Sequence, residues 1–343
     1  MSTQVRLMRE EEAKLVKTLA RKAFGWVEGL FIGLPEWAYV IEVDGEIAGS
    51  MMVEDISGKV KIAYLDYAFI AKEYQGQGLG KELYTYVVDQ LAEEDYQVQL
   101  SLIRADNVAS WKPLIEHDFV KGRLRDLFIG ENRFILWPLL LKTPFLYAYG
   151  MNYYIHKDPS VSSKPIKGYQ EYFYFLSINI GIALVNGILN MREIFFYLPL
   201  ANLIVLLLLT IGRYIGTILS PQHAWTFQGT QGGIGLGLIL NIVGMGSFPI
   251  HGSFYPTHWK ADKVQRDLAL GEIFAWGLLV ACVLLLRGQM GLLRMIRQMS
   301  EVFLFLYIFP CYPFDEYGSQ RIYHYSWLLW GVVAGVSGLI LFV

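Results

Sequence analysis

The residues with the plainest chemical purpose are Gln75-Gly76-Gln77-Gly78-Leu79-Gly80-Lys81. Three glycines at alternate positions stand where an extended segment gives way to a helical pattern, with Leu83, Val87, Val88 and Leu91 on one face. Glycine lets successive backbone N–H groups close on an anion, and a helix N-terminus adds partial positive charge. A diphosphate suits such a cradle; a plain turn or cap is the other reading. The spacing also fits a dinucleotide fingerprint, but that motif opens a βαβ unit, and here three or four antiparallel-type strands come first.

Elsewhere the reactive side chains are sparse. Arg213 and Glu272 are the ionisable groups set deepest in apolar sequence, so they pair with each other or line a polar cavity. His223, His251 and His258 sit among aromatics, where hydrogen bonding competes with metal binding as the explanation. Cys282 and Cys311 have no neighbours at metal-ligand spacing and make no disulfide framework, which suits a reducing compartment.

The elements that must hold the glycine loop are legible upstream. Val5 and Leu7 alternate as a short strand, and Leu15, Val16, Leu19, Ala20 and Ala23 recur at helical spacing behind the acidic Glu10–Glu12 turn. Ala38–Val43 and Ile47–Val53 flank Asp44-Gly45, the favoured chemistry of a two-residue hairpin turn. A longer strand spans Val60–Ile70. After the loop and its helix come a strand at Val98–Ile103, a helix near Asn107–His117 and a strand from Phe119.

Composition divides the chain of 343 residues. Residues 1–133 hold 16 Lys+Arg and 22 Asp+Glu, and residues 134–343 hold only 13 and 9. An acidic, soluble third therefore precedes a lipid-adapted remainder, and neither part is basic enough to point to nucleic acid. Met1–Glu12 is polar and shows no signal-peptide core, so the N-terminal domain is expected on the cytoplasmic side.

The soluble third resembles the GNAT N-acetyltransferases. Gln75-Gly76-Gln77-Gly78-Leu79-Gly80 matches their Q/R-x-x-G-x-G/A acyl-CoA loop, and the element order over about residues 4–137 is similar. The resemblance implies an α+β domain with a mixed, mostly antiparallel sheet and flanking helices. It implies acetyl-CoA as co-substrate and no metal. The pyrophosphate would be held around Gln75, Gly76, Gln77, Gly78, Leu79, Gly80 and Lys81, the pantetheine arm along Phe69 and Ile70, and Asn107 would complete the site. Asp66, on the long strand four residues before Ile70, stands where many members carry the base, and an ordinary strand carboxylate is the other reading. The family segment Asn-x-x-Ala-x-x-x-Tyr-x-x-x-Gly-Phe runs here from Asn107 through Ser110, Leu114 and Asp118 to Phe119. Leucine replaces the tyrosine that usually protonates the thiolate, and Pro113 is expected to distort this helix.

The remainder reads as an all-α multi-pass membrane domain over residues 172–343, after an interfacial segment and basic linker at 138–171. Five spans are expected: Phe173–Met191, Phe195–Leu219, Gly229–Ile250, Leu268–Leu286 and Ser326–Val343, with Val302–Phe314 re-entrant. The glycines between Gly229 and Gly246 suggest a helix–helix seam. Pro313-Phe314-Asp315-Glu316-Tyr317-Gly318 resembles the aspartate segment of site-two-type intramembrane metalloproteases, but no His-Glu-x-x-His is present, so no peptidase activity is expected. Two functions follow: a membrane-tethered N-acetyltransferase acting on an amine at the cytoplasmic face, or a non-catalytic acyl-CoA-binding or docking module beside other membrane subunits. The partners expected are the lipid bilayer and acyl-CoA.

Overall fold

The computed structural model describes residues 2–58, 60–122, 139, 141–143, 147–148, 150–157, 168–189, 197–230, 232–242, 249–250, 252–257, 261–310 and 317–342. The chain divides into two compact units: Met1–Phe145 with Met151–Lys164, and Leu146–Gly150 with Pro165–Val343.

The first unit is built on a seven-stranded sheet of order β1-β2-β3-β4-β5-β7-β6. β1 (Thr3–Leu7), β2 (Ala38–Val43), β3 (Glu46–Asp55) and β4 (Ile62–Ile70) pair antiparallel in succession. The β2–β3 turn takes positive φ at Asp44 and Gly45, as its Asp-Gly sequence dictates. β4 then pairs in parallel with β5 (Val98–Arg104), because α3 (Leu79–Glu93) carries the chain across between them. The far edge is β7 (Met151–Lys157) with the two-residue β6 (Val120–Lys121).

β7 corrects the expected boundary at residue 137. Tyr153, Tyr154 and Ile155 are buried in the sheet rather than at an interface, and His156 and Lys157 belong to the strand and not to a linker. The strand's aromatic, β-branched content suits a ladder position, but its partner Val98–Arg104 lies some fifty residues away. Residues 158–167 of that linker lie outside the described residues, and residues 168–171 are helical.

Two apolar layers fix the sheet. α1 (Ala13–Phe24) sets Val16 and Ala20 against Val40, Met52 and Phe69, while α3 sets Leu79, Leu83, Val87 and Leu91 against Ile41, Met51, Ala63 and Leu65. Each buried leucine of α3 contributes roughly 1.5–3 kcal/mol by leaving water.

The second unit is helical, with one ribbon of strand. α5 (Gly168–Leu189), α6 (Tyr197–Ile218) and α8 (Ala261–Leu285) contain three segments long and apolar enough to cross a membrane: Gly168–Ile188, Tyr197–Ile218 and Lys263–Leu285. Their 21 to 23 residues reach about 30 Å at 1.5 Å per residue. α11 (Trp327–Phe342) is apolar but shorter, at 16 residues. Among the described residues the span expected over Gly229–Ile250 does not begin at Gly229, and residues 243–248 of it lie outside the described residues. Trp225–Gly229 is a strand, β8, paired antiparallel with β9 (Gly252–Pro256), and the helix between them, α7 (Ile234–Ile242), has nine residues. Alternation in Trp225-Thr226-Phe227-Gln228 favours the strand, and Gly233 at φ 83° turns the chain before the helix starts. The all-α expectation therefore misses a ribbon. Val302–Leu306 ends α9 (Gly291–Leu306), and residues 311–314 of the expected re-entrant piece lie outside the described residues.

A close seam joins α6 and α8. A Cβ on Gly212 would stand 2.4 Å from the backbone of Ala275, and one on Gly216 would stand 2.4 Å from Gly271, so α6 and α8 touch backbone to backbone. Beside it, Arg213 Nε lies 3.0 and 3.1 Å from the two oxygens of Glu272. Arg321, on α10 (Ser319–Tyr325), donates to the same carboxylate at 2.8 Å, and the Tyr307 hydroxyl donates to it at 2.9 Å. Arg213 also reaches the Gly252 carbonyl at 2.7 Å and Arg321 the Ser253 hydroxyl at 2.6 Å. The ion pair expected for Arg213 and Glu272 is thus the centre of a buried network joining α6, α8, α10 and the ribbon. His223 pairs with Asp267 at 3.2 Å, while His251 and His258 lie outside the described residues.

Candidate functional site

β4 begins the site with a defect. Met51 faces Ala68 and Val53 faces Leu65, so β4 holds one residue more than β3 over this interval, a bulge at Asp66–Tyr67. β4 and β5 pair only from Ile62↔Val98 to Leu65↔Ser101. Past that point the backbone of Asp66–Ile70 has no partner strand on the β5 side among the described residues. Gly49 is required opposite, since a Cβ there would meet the Phe69 carbonyl at 2.5 Å.

The chain leaves β4 through a short turn, Lys72–Tyr74, into the glycine loop. Gly76 and Gly78 take φ 78° and 83°, a left-handed conformation that side chains resist, and the space where their Cβ atoms would lie is open. Gly78 precedes α3 directly, so the first-turn N–H groups of Leu79, Gly80 and Lys81 have no intrahelical partner and face outward with the helix dipole. Gln75 Nε2 donates to the Ile70 carbonyl at 3.0 Å, tying loop to strand end.

Between the unpaired part of β4, the loop and the start of α4 (Val108–Glu116) lies a cleft of about 580 Å³. Phe69, Ile70, Gln75, Gly76, Gly78, Leu79, Gly80 and Asn107, all singled out from the sequence, line it. Gln77, Lys81 and Asp66 do not; the Lys81 ammonium instead pairs with Glu116 at 2.8 Å on the exposed rim. The dimensions and donors fit a nucleotide-linked thioester: N–H groups for a diphosphate at one end, and a free strand edge for an amide-bearing arm at the other.

Asp66 sits at the bulge, two residues before the lining residue Ala68. Burial pushes its carboxyl up to about 7, the Glu54 charge adds to the rise, and a hydrogen bond from Tyr64 opposes it. A carboxylate near neutrality is suited to taking a proton from an ammonium. Leu114, at the family's tyrosine position, is fully buried in the core with Leu83 and Tyr84. α4 runs on through Pro113 to Glu116, so the expected distortion does not end it. Tyr84 on α3 escaped the sequence reading, and Ser110 on α4 was named there only as a position in the family segment; both line the cleft. Tyr84 resembles a core residue in the helical pattern, and nothing local in the sequence brings it to the cleft.

Residues 11–113 match the model of the acetyltransferase (GNAT) family. The first unit therefore carries a GNAT acetyltransferase domain, with the mixed, mostly antiparallel sheet of that fold. The match covers less than a third of the chain and stops short of α5–α11. No curated protein matches the sequence. Solved structures similar to this chain include the ribosomal-protein-S18-alanine N-acetyltransferase from Escherichia coli, at 16% identity over 45% of this chain and 91% of that one, TM-score 0.33. Arabidopsis thaliana Naa50 in complex with the bisubstrate analogue CoA-Ac-MVNAL aligns at 12% identity over 46% and 100%, TM-score 0.33. The PaiA N-acetyltransferase from Thermoplasma acidophilum in complex with coenzyme A aligns at 11% over 46% and 100%, also 0.33. The Pro313–Glu316 part of the protease-like segment lies outside the described residues.

Proposed function

We propose that the GNAT domain transfers the acetyl group of acetyl-CoA to an amine, and that the apolar helices of the second unit hold the chain in a bilayer with this domain on the cytoplasmic side. The observation that carries the reading is the cleft itself: left-handed Gly76 and Gly78 and a helix start at one end, an unpaired β4 edge at the other. Acetyl-CoA would lie with its diphosphate on the N–H groups of residues 76–81 and its thioester near Phe69–Ile70. The amine attacks directly, and Asp66 takes its proton. Such a transfer needs no metal.

The test is release of free thiol from acetyl-CoA by the purified full-length protein with a panel of amines that includes polyamines and peptide N-termini. Amine-dependent release is expected; none with any amine would contradict the enzymatic reading. Leu114, sealed in the core, favours a second reading, in which the domain binds acyl-CoA without turnover as a docking module among membrane subunits. Stoichiometric co-purifying partners together with CoA binding and no turnover would support that one.

A further inference from the structure

α1 presents two faces. Ala13, Val16 and Ala20 are buried, and the positions one residue on, Lys14, Lys17 and Arg21, form a basic stripe at the same helical spacing. Lys22 extends the stripe. Residues 13–36 hold four basic and two acidic side chains, Glu28 and Glu36, whereas residues 1–133 as a whole hold 16 and 22. The stripe is therefore a positive surface on an acidic domain. Beside it runs the segment Leu30–Leu34. Its middle residue, Ile32, is 1% exposed and anchors it in the α1 layer, while Leu30, Phe31 and Leu34 are 67%, 64% and 54% exposed. Arg21 joins the two: its guanidinium donates to the Ile32 carbonyl at 3.4 Å, and its Cγ lies 3.3 Å from where a Cβ on Gly29 would stand. Single exposed leucines are ordinary on a protein surface. Three large apolar side chains displayed around one buried anchor form a patch that a partner would take out of water.

We propose that the surface formed by α1 and Leu30–Leu34 docks on the anionic headgroups of a bilayer, with the basic stripe among the phosphates and Leu30, Phe31 and Leu34 entering the acyl boundary. Charge decides the partner. A basic stripe beside an apolar wedge is the composition of interfacial membrane-binding segments, and each Lys or Arg adds attraction to anionic lipid. A second copy of this surface would set two positive stripes against each other. Lys22 lies 3.9 Å from Glu73 with both side chains largely exposed, so water screens that pair and the stripe keeps its charge for the headgroups. The surface ends at the cleft. Ala23 and Phe24, the last residues of α1, line it, and the Phe24 ring meets Tyr67, the neighbour of Asp66, edge-on at 5.3 Å. Docking thus brings this wall of the cleft to headgroup level. The assignment rests on the reading that the second unit holds the chain in a bilayer.

The test uses the full-length protein, with Cys282 and Cys311 replaced by serine, in vesicles of phosphatidylcholine and phosphatidylglycerol that carry a doxyl-labelled lipid. An environment-sensitive fluorophore is attached in turn at Leu30→Cys, at Leu34→Cys, at Glu93→Cys on α3 across the sheet, and at Leu207→Cys within the α6 span. Reporters at 30 and 34 should emit to the blue and be quenched by the doxyl lipid at least about twofold more than the reporter at 93. Lys14→Glu combined with Lys22→Glu, or omission of phosphatidylglycerol, should shift the docking equilibrium back by about tenfold or more and remove most of that quenching. Reporters at 30 and 34 quenched no more than at 93, while 207 is quenched, would overturn the docking and leave the membrane reading intact. Blue emission at 30 without lipid quenching would overturn it in favour of a protein partner. Quenching indifferent to charge reversal and to phosphatidylglycerol would overturn the headgroup assignment. An unquenched reporter at 207 would overturn the membrane reading, and the docking with it.

Discussion

At the scale of single residues, Asp66 has the most measurable consequences. Its carboxyl titrates near 7 in the folded chain and near the ordinary 3.8 when unfolded. Between those values the folded state holds a proton that the unfolded state has lost, so Asp66 lowers stability progressively as pH rises from 4 to 7. Asp66→Asn removes that cost. The variant should match the parent in thermal stability at pH 4 and exceed it above pH 7, by differential scanning fluorimetry. The same substitution should remove the acidic limb of the pH–kcat/KM profile, which in the parent falls about tenfold per unit below pH 7. A limb that persists in the variant would assign the proton transfer to another group. At this scale the sequence was informative where one residue type answers one backbone demand. Gly76, Gly78 and the Asp44-Gly45 turn could be placed because few residues accept positive φ. Tyr84 could not, since its place in the cleft depends on α4, a helix that begins after another strand.

At the scale of elements, the α6–α8 seam governs the second unit. Gly212-Arg213-Tyr214-Ile215-Gly216 sets two glycines one turn apart, and both press on the α8 backbone, which cannot move aside as a side chain would. Gly216→Ala should cost about 1–3 kcal/mol and lower the melting temperature of the detergent-solubilised protein by several degrees. Gly277→Ala, on α8 where an added Cβ meets nothing within 4 Å, should be neutral or slightly stabilising. Equal effects would remove the seam. Glycine density points to a seam at Gly229–Gly246, and that density is more conspicuous than a single pair flanking an arginine. Within that stretch Gly229 closes β8 against Phe175 and Gly233 turns toward α7, while Gly244 and Gly246 lie outside the described residues. β7 was missed for a related reason. A strand that completes a sheet by pairing with residues far back in the chain leaves only a short apolar run, and near a change of composition such a run reads equally well as interfacial.

At the scale of the whole molecule, a charge-rich GNAT domain and a unit with three span-length helices share one chain. The proposed orientation can be read with a cysteine introduced at the exposed Lys14 after Cys282 and Cys311 are replaced by serine. A membrane-impermeant maleimide should label Lys14→Cys only after the cells are permeabilised; labelling of intact cells would reverse the orientation. The account rests above all on the cleft between β4, the glycine loop and α4, and isothermal titration of the intact protein with coenzyme A examines that directly. It should give saturable heat with a micromolar Kd, and Gly78→Trp, whose ring enters the open space beside the loop, should weaken binding at least tenfold. Well-folded protein that gives no heat with coenzyme A, or binding that Gly78→Trp leaves unchanged, would contradict it.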